Sequence, residues 1–180
     1  MHGKRRTAAN DWPREIHRVL KAKAVRQVSY VPDAGHARLI ELCRADRGMA
    51  AVVLTTEEEG IGLAAGAWLG GERSVLLMQS SGVGNCVNTM TLATHCGIPL
   101  LMLVTLRGEW GEFNPWQVPM GQSSQAALAL AGARTFRLER AEEAAATVEA
   151  AARLAYDANA VAAVLIAQRM IGTKAFEDKR

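Results

Sequence analysis

Cysteine and aromatic residues are scarce in this chain, and long apolar runs are missing. Its three cysteines, Cys43, Cys86 and Cys96, show no metal-ligand spacing and are too few and scattered for a disulfide framework. The four histidines, His2, His17, His36 and His95, are isolated from one another, so no metal site is expected. No uninterrupted apolar stretch reaches the roughly 18–20 residues that a membrane helix requires. The N-terminus carries charges but lacks the apolar segment of a signal peptide. No Gly-x-Ser-x-Gly elbow is present for a hydrolase. What remains is a chain of 180 residues, 49% apolar and 22% charged, which predicts one soluble, cytoplasmic domain. A chain of that length buries about 70% of its unfolded surface and needs no staple.

Charge is unevenly distributed. Residues 1–26 hold eight Lys or Arg against Asp11 and Glu15, whereas the rest of the chain holds 13 against 16 acids. A basic arm can bind nucleic acid, but only Trp12 is available there to stack on a base. A solvated, disordered leader over 1–12 and a charged tail over 173–180, flanking one domain over 13–172, are therefore expected, with no nucleic-acid partner.

Between those ends the pattern alternates. A helix is predicted over 13–25, with Pro13 in its first turn and Ile16, Val19, Leu20 and Ala24 on one face. Strands are predicted at 28–31, 51–54, 75–78, 100–104, 135–138 and 161–166, and helices at 36–43, 58–69, 85–96, 123–131 and 141–157. Most of these strands are continuous apolar runs, as burial on both faces requires. The pattern predicts a three-layer α/β/α domain with a six-stranded, mainly parallel sheet.

In open α/β sheets, ligands bind outside the carboxyl ends of the strands. The turns leaving the first four strands carry Pro32-Asp33, Thr56-Glu57-Glu58-Glu59, Ser80-Ser81-Gly82-Val83-Gly84-Asn85 and Arg107-Gly108-Glu109. The glycine turn lacks the third glycine of a dinucleotide fingerprint and the Gly-Lys-Ser/Thr of a phosphate loop. The three glutamates suit a helix start, where the dipole favours carboxylates. Behind them, Gly60, Gly62, Ala64, Ala65 and Gly66 make a helix face small enough for close approach, either to the sheet or to another surface. The stretch 106–121 reads as a long loop holding Trp110 and Trp116, which suggests burial against a partner or a lid over a ligand.

Taken in order, Thr56-Glu57-Glu58-Glu59-Gly60-Ile61-Gly62-Leu63-Ala64-Ala65-Gly66-Ala67-Trp68-Leu69, Val75-Leu76-Leu77-Met78-Gln79-Ser80-Ser81-Gly82-Val83-Gly84-Asn85 and Gly97-Ile98-Pro99-Leu100 resemble the pyrimidine-binding domain of thiamine diphosphate-dependent decarboxylases. Pro115-x-Gln117-x-Pro119-Met120-Gly121 sharpens the likeness to the sulfopyruvate and phosphonopyruvate decarboxylase group, and the resemblance spans residues 20–170.

The resemblance implies an acid that hydrogen-bonds the aminopyrimidine ring of the cofactor, placed at Glu57, or at Glu58 if the register shifts by one. The proton it shares with the ring nitrogen favours the imino tautomer, whose nitrogen removes the thiazolium proton. Cofactor contacts are implied for Pro32, Gln79, Ser81, Gly82 and Asn85, and substrate contacts for Asp33, Arg107, Glu112 and Gln117. Arg107 suits an anionic substrate tail, its alternative being an ordinary loop salt bridge.

Two departures stand out. Ala34 follows Pro32-Asp33 where some relatives carry a hydroxyl or acid, and Met78-Gln79 occupies the region where some carry a catalytic histidine. Proton shuttling then falls to Asp33, Gln79, the cofactor or the partner chain. Gly-Asp-Gly, which holds the diphosphate and magnesium in the family, does not occur in the 180 residues. The resemblance therefore implies an alpha subunit that works with a beta subunit carrying the diphosphate and Mg2+ site, in an alpha-two beta-two or larger assembly acting on a small 2-keto acid. A non-catalytic regulatory module on the same fold is the alternative. A nucleic-acid binder would instead show salt-sensitive retention that vanishes when residues 1–26 are removed.

Overall fold

The computed structural model describes residues 11–172. The expected tail over 173–180 and most of the expected leader lie outside the described residues. Trp12, placed in that leader, opens the first helix and is buried.

Six strands form one sheet: β1 (Val25–Tyr30), β2 (Ala50–Val53), β3 (Arg73–Gln79), β4 (Leu100–Thr105), β5 (Arg134–Leu138) and β6 (Val161–Ile166). Their order is β2-β1-β3-β4-β6-β5, and every neighbouring pair is parallel. Parallel pairing needs crossovers, which the helices supply: α1 (Trp12–Ala22), α2 (Ala37–Ala45), α3 (Glu57–Leu69), α4 (Ser80–Cys96), α5 (Val118–Leu130), α6 (Ala144–Asp157) and the short α7 (Gln168–Ile171).

The pleat divides the core in two. Val75, Leu77, Leu101 and Leu103 point to one face and pack with Ile16, Leu20, Leu39, Val148 and Ala152 of α1, α2 and α6. Leu76, Met78, Met102 and Val104 point to the other and pack with Ile61, Val83, Met90 and Leu128 of α3, α4 and α5. All of β4 and β6 is buried, which is why both read as unbroken apolar runs. The small-residue face of α3 divides as well. Gly60 lies against the sheet, where an added Cβ would come within 2.5 Å of Leu76, whereas Gly62 and Gly66 look outward with nothing within 4 Å.

Several boundaries differ from the sequence expectation, most at the starts of α4 and α5. α1 ends at Ala22, and a left-handed turn at Ala24 (φ 56°) leads straight into β1. α4 begins at Ser80 instead of 85, so Ser81-Gly82-Val83-Gly84 forms helical turns and not a loop ahead of them. Tertiary packing overrides the low helix propensity of these glycines. α5 begins at Val118, with Pro119 tolerated in its first turn, and is preceded by a single 3-10 turn at Pro115–Gln117. Among the described residues, no helix is long and apolar enough to cross a membrane.

Tyr156 ties α6 to β3 by donating its buried hydroxyl to the Ser74 carbonyl at 2.7 Å. Burial pushes that phenol well above its ordinary value, so it remains a donor across the working range. Tyr156→Phe should cost about 1 kcal/mol of stability and leave the Ser74 carbonyl short of a partner. Leu103→Ala, in the fully buried β4, should cost about 2–5 kcal/mol; urea denaturation of both variants checks the ranking.

Candidate active site

The carboxyl ends of β1, β2, β3 and β4 share one edge of the sheet, and the residues expected at the site gather there in three small groups. The first belongs to the start of α3. The three consecutive glutamates have separate tasks. Glu59 turns back to accept from the Thr55 amide at 2.8 Å and the Thr56 amide at 3.5 Å, closing the helix N-terminus. Glu58 is exposed, and Glu57, only 8% exposed, turns towards α4. Its carboxylate lies directly on Gly82, where an added Cβ would fall 2.4 Å from Glu57 Cγ and Cδ. Asn85, one turn along α4, donates to Glu57 Oε2 at 2.8 Å. Oε1 accepts no hydrogen bond among the described residues. A carboxylate is thus held by one oxygen at a helix N-terminus, with no hydrogen bond on the other among the described residues.

Cys86 lies beside this group. Burial, with the charges of Glu57 and Glu58, pushes its thiol up to about 12, so it is a packing residue and not a nucleophile.

The second group surrounds the end of β3. Gln79 donates to Ser81 Oγ at 2.7 Å and lies 3.5 Å from Gln117 Oε1. The third follows β1: Asp33 Oδ2 accepts from Thr105 Oγ1, at the end of β4, at 2.7 Å. Pro32 is exposed beside it and lines a cleft of about 600 Å3 with Tyr30, Ile40, Glu41, Arg44 and Val53. Glu57 does not line that cleft, nor another of about 570 Å3 bounded by Glu109, Trp110, Arg137, Arg140 and Arg169.

Arg107 and Glu112, both expected to meet substrate, are bonded to each other. The guanidinium donates from Nε at 2.8 Å and from an Nη at 3.0 Å to the two carboxylate oxygens, in a pair that is almost wholly buried. At 5% exposure, Arg107 presents its charge to Glu112 and not to the surface. The Gln168 carboxamide completes this anchor, donating to Glu112 and accepting from the Glu109 and Trp110 amides, each at 2.9 Å. Burial pushes the Glu112 carboxyl up, but Arg107, the Asn114 amide and Gln168 together outweigh it and hold the group down at about 2. The backbone crosses closely here too: a Cβ on Gly121 would fall 1.5 Å from the Arg107 carbonyl oxygen. The loop is therefore a rigid platform, on which Trp116 stands 71% exposed.

Sequence reasoning did not assign Thr105 or Gln168 to the site and left His36 without a role. Thr105 is the first polar residue after an apolar strand, and His36 lies in the turn leaving β1. Both carry the positional signal that singled out Asp33. Gln168 follows β6 on a segment where no site was expected.

Residues 14–128 match the family described as thiamine pyrophosphate enzyme, N-terminal TPP binding domain. The chain belongs to that family, and the matched segment contains Glu57, Gly82 and Asn85. It is 34% identical over 130 residues to sulfopyruvate decarboxylase subunit alpha of Methanocaldococcus jannaschii, covering 72% of this chain and 77% of that one. With the subunit of the same name from Methanococcus maripaludis it shares 31% over 152 residues, or 84% and 91% of the two chains. Phosphonopyruvate decarboxylase of Streptomyces hygroscopicus is 36% identical over 94 residues, 52% of this chain but 23% of that protein. Among solved structures, 2-oxoglutarate:ferredoxin oxidoreductase from Magnetococcus marinus superposes with a TM-score of 0.74 at 14% identity. The likeness covers 89% of this chain and 29% of that one, and shows a shared fold.

Two outcomes test this geometry. Gly82→Ala should push Glu57 off α4 and break its bond to Asn85, seen as a displaced carboxylate in a crystal structure of the variant. Glu112→Gln should cost about 3–5 kcal/mol by leaving Arg107 buried without its counter-charge. Because the folded carboxyl is depressed, its contribution is complete above the ordinary value of 4.5 and is lost as the pH falls through about 2. The variant should therefore lose this part of the acid dependence, which denaturation at pH values either side of the ordinary carboxylate range measures.

Proposed function

We propose that this chain is the alpha, pyrimidine-binding subunit of a thiamine diphosphate-dependent 2-keto-acid decarboxylase. Sulfopyruvate is the leading substrate, giving sulfoacetaldehyde and carbon dioxide, and phosphonopyruvate is the second. The observation that carries the reading is the Glu57 carboxylate, seated on Gly82 with Oε2 held by Asn85 and Oε1 without a hydrogen bond among the described residues. The names of the relatives from Methanocaldococcus and Methanococcus support both the reaction and the division into subunits.

The residues present fit the pyrimidine half of the cofactor. Glycine at 82 lets the Glu57 carboxylate settle on bare backbone, where the first carbon of any side chain would collide with it, and Oε1 offers an acceptor with no hydrogen bond among the described residues. Once bound, the cofactor supplies an electron sink for the pair released with carbon dioxide. Glu57 would hold a proton at the ring nitrogen through Oε1, and Asn85 keeps the carboxylate from rotating away. Gln79 and Ser81, bonded to each other, would border the ring on the β3 side. Asp33 and Gln117 remain the candidates to meet substrate, with Asp33 moving a proton, while Arg107 and Glu112 hold the loop.

The diphosphate and Mg2+ fall to a beta subunit bearing the Gly-Asp-Gly that these 180 residues lack. A cofactor held at Glu57 would be covered by that second chain, in an alpha-two beta-two or larger assembly, and the isolated alpha chain should be inactive.

Co-expression with a Gly-Asp-Gly-bearing partner, followed by carbon dioxide release in the presence of thiamine diphosphate and Mg2+, tests the reading. Glu57→Gln should lower turnover by about 100- to 10,000-fold without changing thermal stability. Full activity in that variant would remove Glu57 from the mechanism. A chain that binds its partner and cannot support turnover would be the regulatory module instead.

A further inference from the structure

The turn after β1 reaches across the end of β3 to touch β4. Asp33 bonds to Thr105 on the far strand, and β3 lies between them in the sheet. Gly35 allows this, since an added Cβ would stand 2.8 Å from both Asp33 Oδ2 and Thr105 Cγ2. His36, next in the chain, is fully buried, with Nε2 lying 3.2 Å from the Met78 carbonyl oxygen and 3.0 Å from that of Leu103. Carbonyl oxygens only accept, so Nε2 carries the hydrogen and donates to both, and Nδ1 is the unprotonated nitrogen. Nδ1 is shut off from solvent and has no hydrogen-bond partner, which leaves a buried acceptor unsatisfied. Burial holds the imidazole below its ordinary value, against the opposing pull of the Asp33 charge and the Leu103 and Met78 carbonyls. An unsatisfied buried acceptor is costly, and its retention calls for a task.

That task is visible at the Thr105 hydroxyl. Its single hydrogen has two acceptors in range, Asp33 Oδ2 at 2.7 Å and the Met78 carbonyl at 3.4 Å. Donation from His36 competes with the hydroxyl for the Met78 carbonyl and leaves Asp33 as the nearer acceptor for the Thr105 hydrogen. The same ring fixes the strand ends, because Met78 precedes Gln79 and Gln79 stands in register with Thr105.

We propose that His36 is a positioning residue for Asp33: by donating to the Met78 and Leu103 carbonyls it pins the ends of β3 and β4 and commits the Thr105 hydroxyl to the Asp33 carboxylate. The inference rests on the decarboxylase reading, in which Asp33 moves a proton at the substrate. His36 itself touches neither substrate nor cofactor.

The test uses the full chain with its partner and two variants. His36→Gln keeps amide hydrogens within reach of the carbonyls, and His36→Leu keeps bulk but no donor. His36→Leu should lower kcat by about 100-fold with KM nearly unchanged, and His36→Gln should recover most of that loss. Thr105→Val should lower kcat similarly, and His36→Leu combined with Thr105→Val should be no worse than the more impaired single variant. Nitrogen-15 NMR of the full wild-type chain, which needs no turnover, should show the ring in its neutral, Nε2-protonated form at neutral pH. An Nδ1-protonated ring, a wild-type kcat in His36→Leu, or additive losses would each overturn the proposal. If His36→Leu does not fold, a large kcat loss in a folded His36→Gln overturns it equally. An inactive wild-type complex would bring down the decarboxylase reading and this role together, whereas an active complex indifferent to His36 would bring down the role alone.

Discussion

The contact between the Glu57 carboxylate and the bare backbone of Gly82 sets how closely the start of α3 can approach the first turn of α4. The rest of the edge follows from that approach. Because α4 leaves β3 without a connecting residue, the position of Gly82 also sets where Gln79 and Ser81 stand. Asn85 then lies one turn along, within reach of the same carboxylate. A side chain at position 82 would separate the two helices and dissolve the group. The helix start contributes electrostatically as well, since a carboxylate in the first turn faces the positive end of the α3 dipole.

Rigidity elsewhere on the edge comes from a buried ion pair. Such a pair is poor at adding net stability, because desolvating two charges costs about as much as their attraction returns. Its value lies in geometry. Arg107, Glu112 and Gln168 fix the path of the loop after β4 against the segment after β6, and the close crossing at Gly121 leaves that path little freedom. Gln117 is thereby set beside Gln79, and Trp116 is displayed on a firm base.

Much of the architecture was legible in the amino-acid sequence, because double-sided burial writes β3, β4 and β6 as continuous apolar runs. The sheet edge was legible too, since polar and glycine-rich residues gather after four successive strands. The resemblance put the site acid at Glu57, with Glu58 the alternative, and the two differ in three dimensions: Glu57 is buried against α4, whereas Glu58 is exposed. The start of α4 was misplaced because Gly82 and Gly84 resemble turn residues, and nothing local reveals that Glu57, 25 positions earlier, occupies the missing side chain's space. Arg107 looked like a ligand for an anion because its partner is set by loop folding and not by helical spacing. His36 and Thr105 went unassigned for a similar reason: their bonds join segments that are far apart in the chain.

Central to this account is that Glu57 Oε1 meets the aminopyrimidine ring while a second chain covers the cofactor. A structure of the chain with its Gly-Asp-Gly-bearing partner, thiamine diphosphate and Mg2+ tests that most directly. The account predicts the ring nitrogen within about 2.7–3.2 Å of Glu57 Oε1, with Oε2 still bonded to Asn85. A cofactor seated away from α3, or a Glu57 carboxylate turned from the ring, would contradict it.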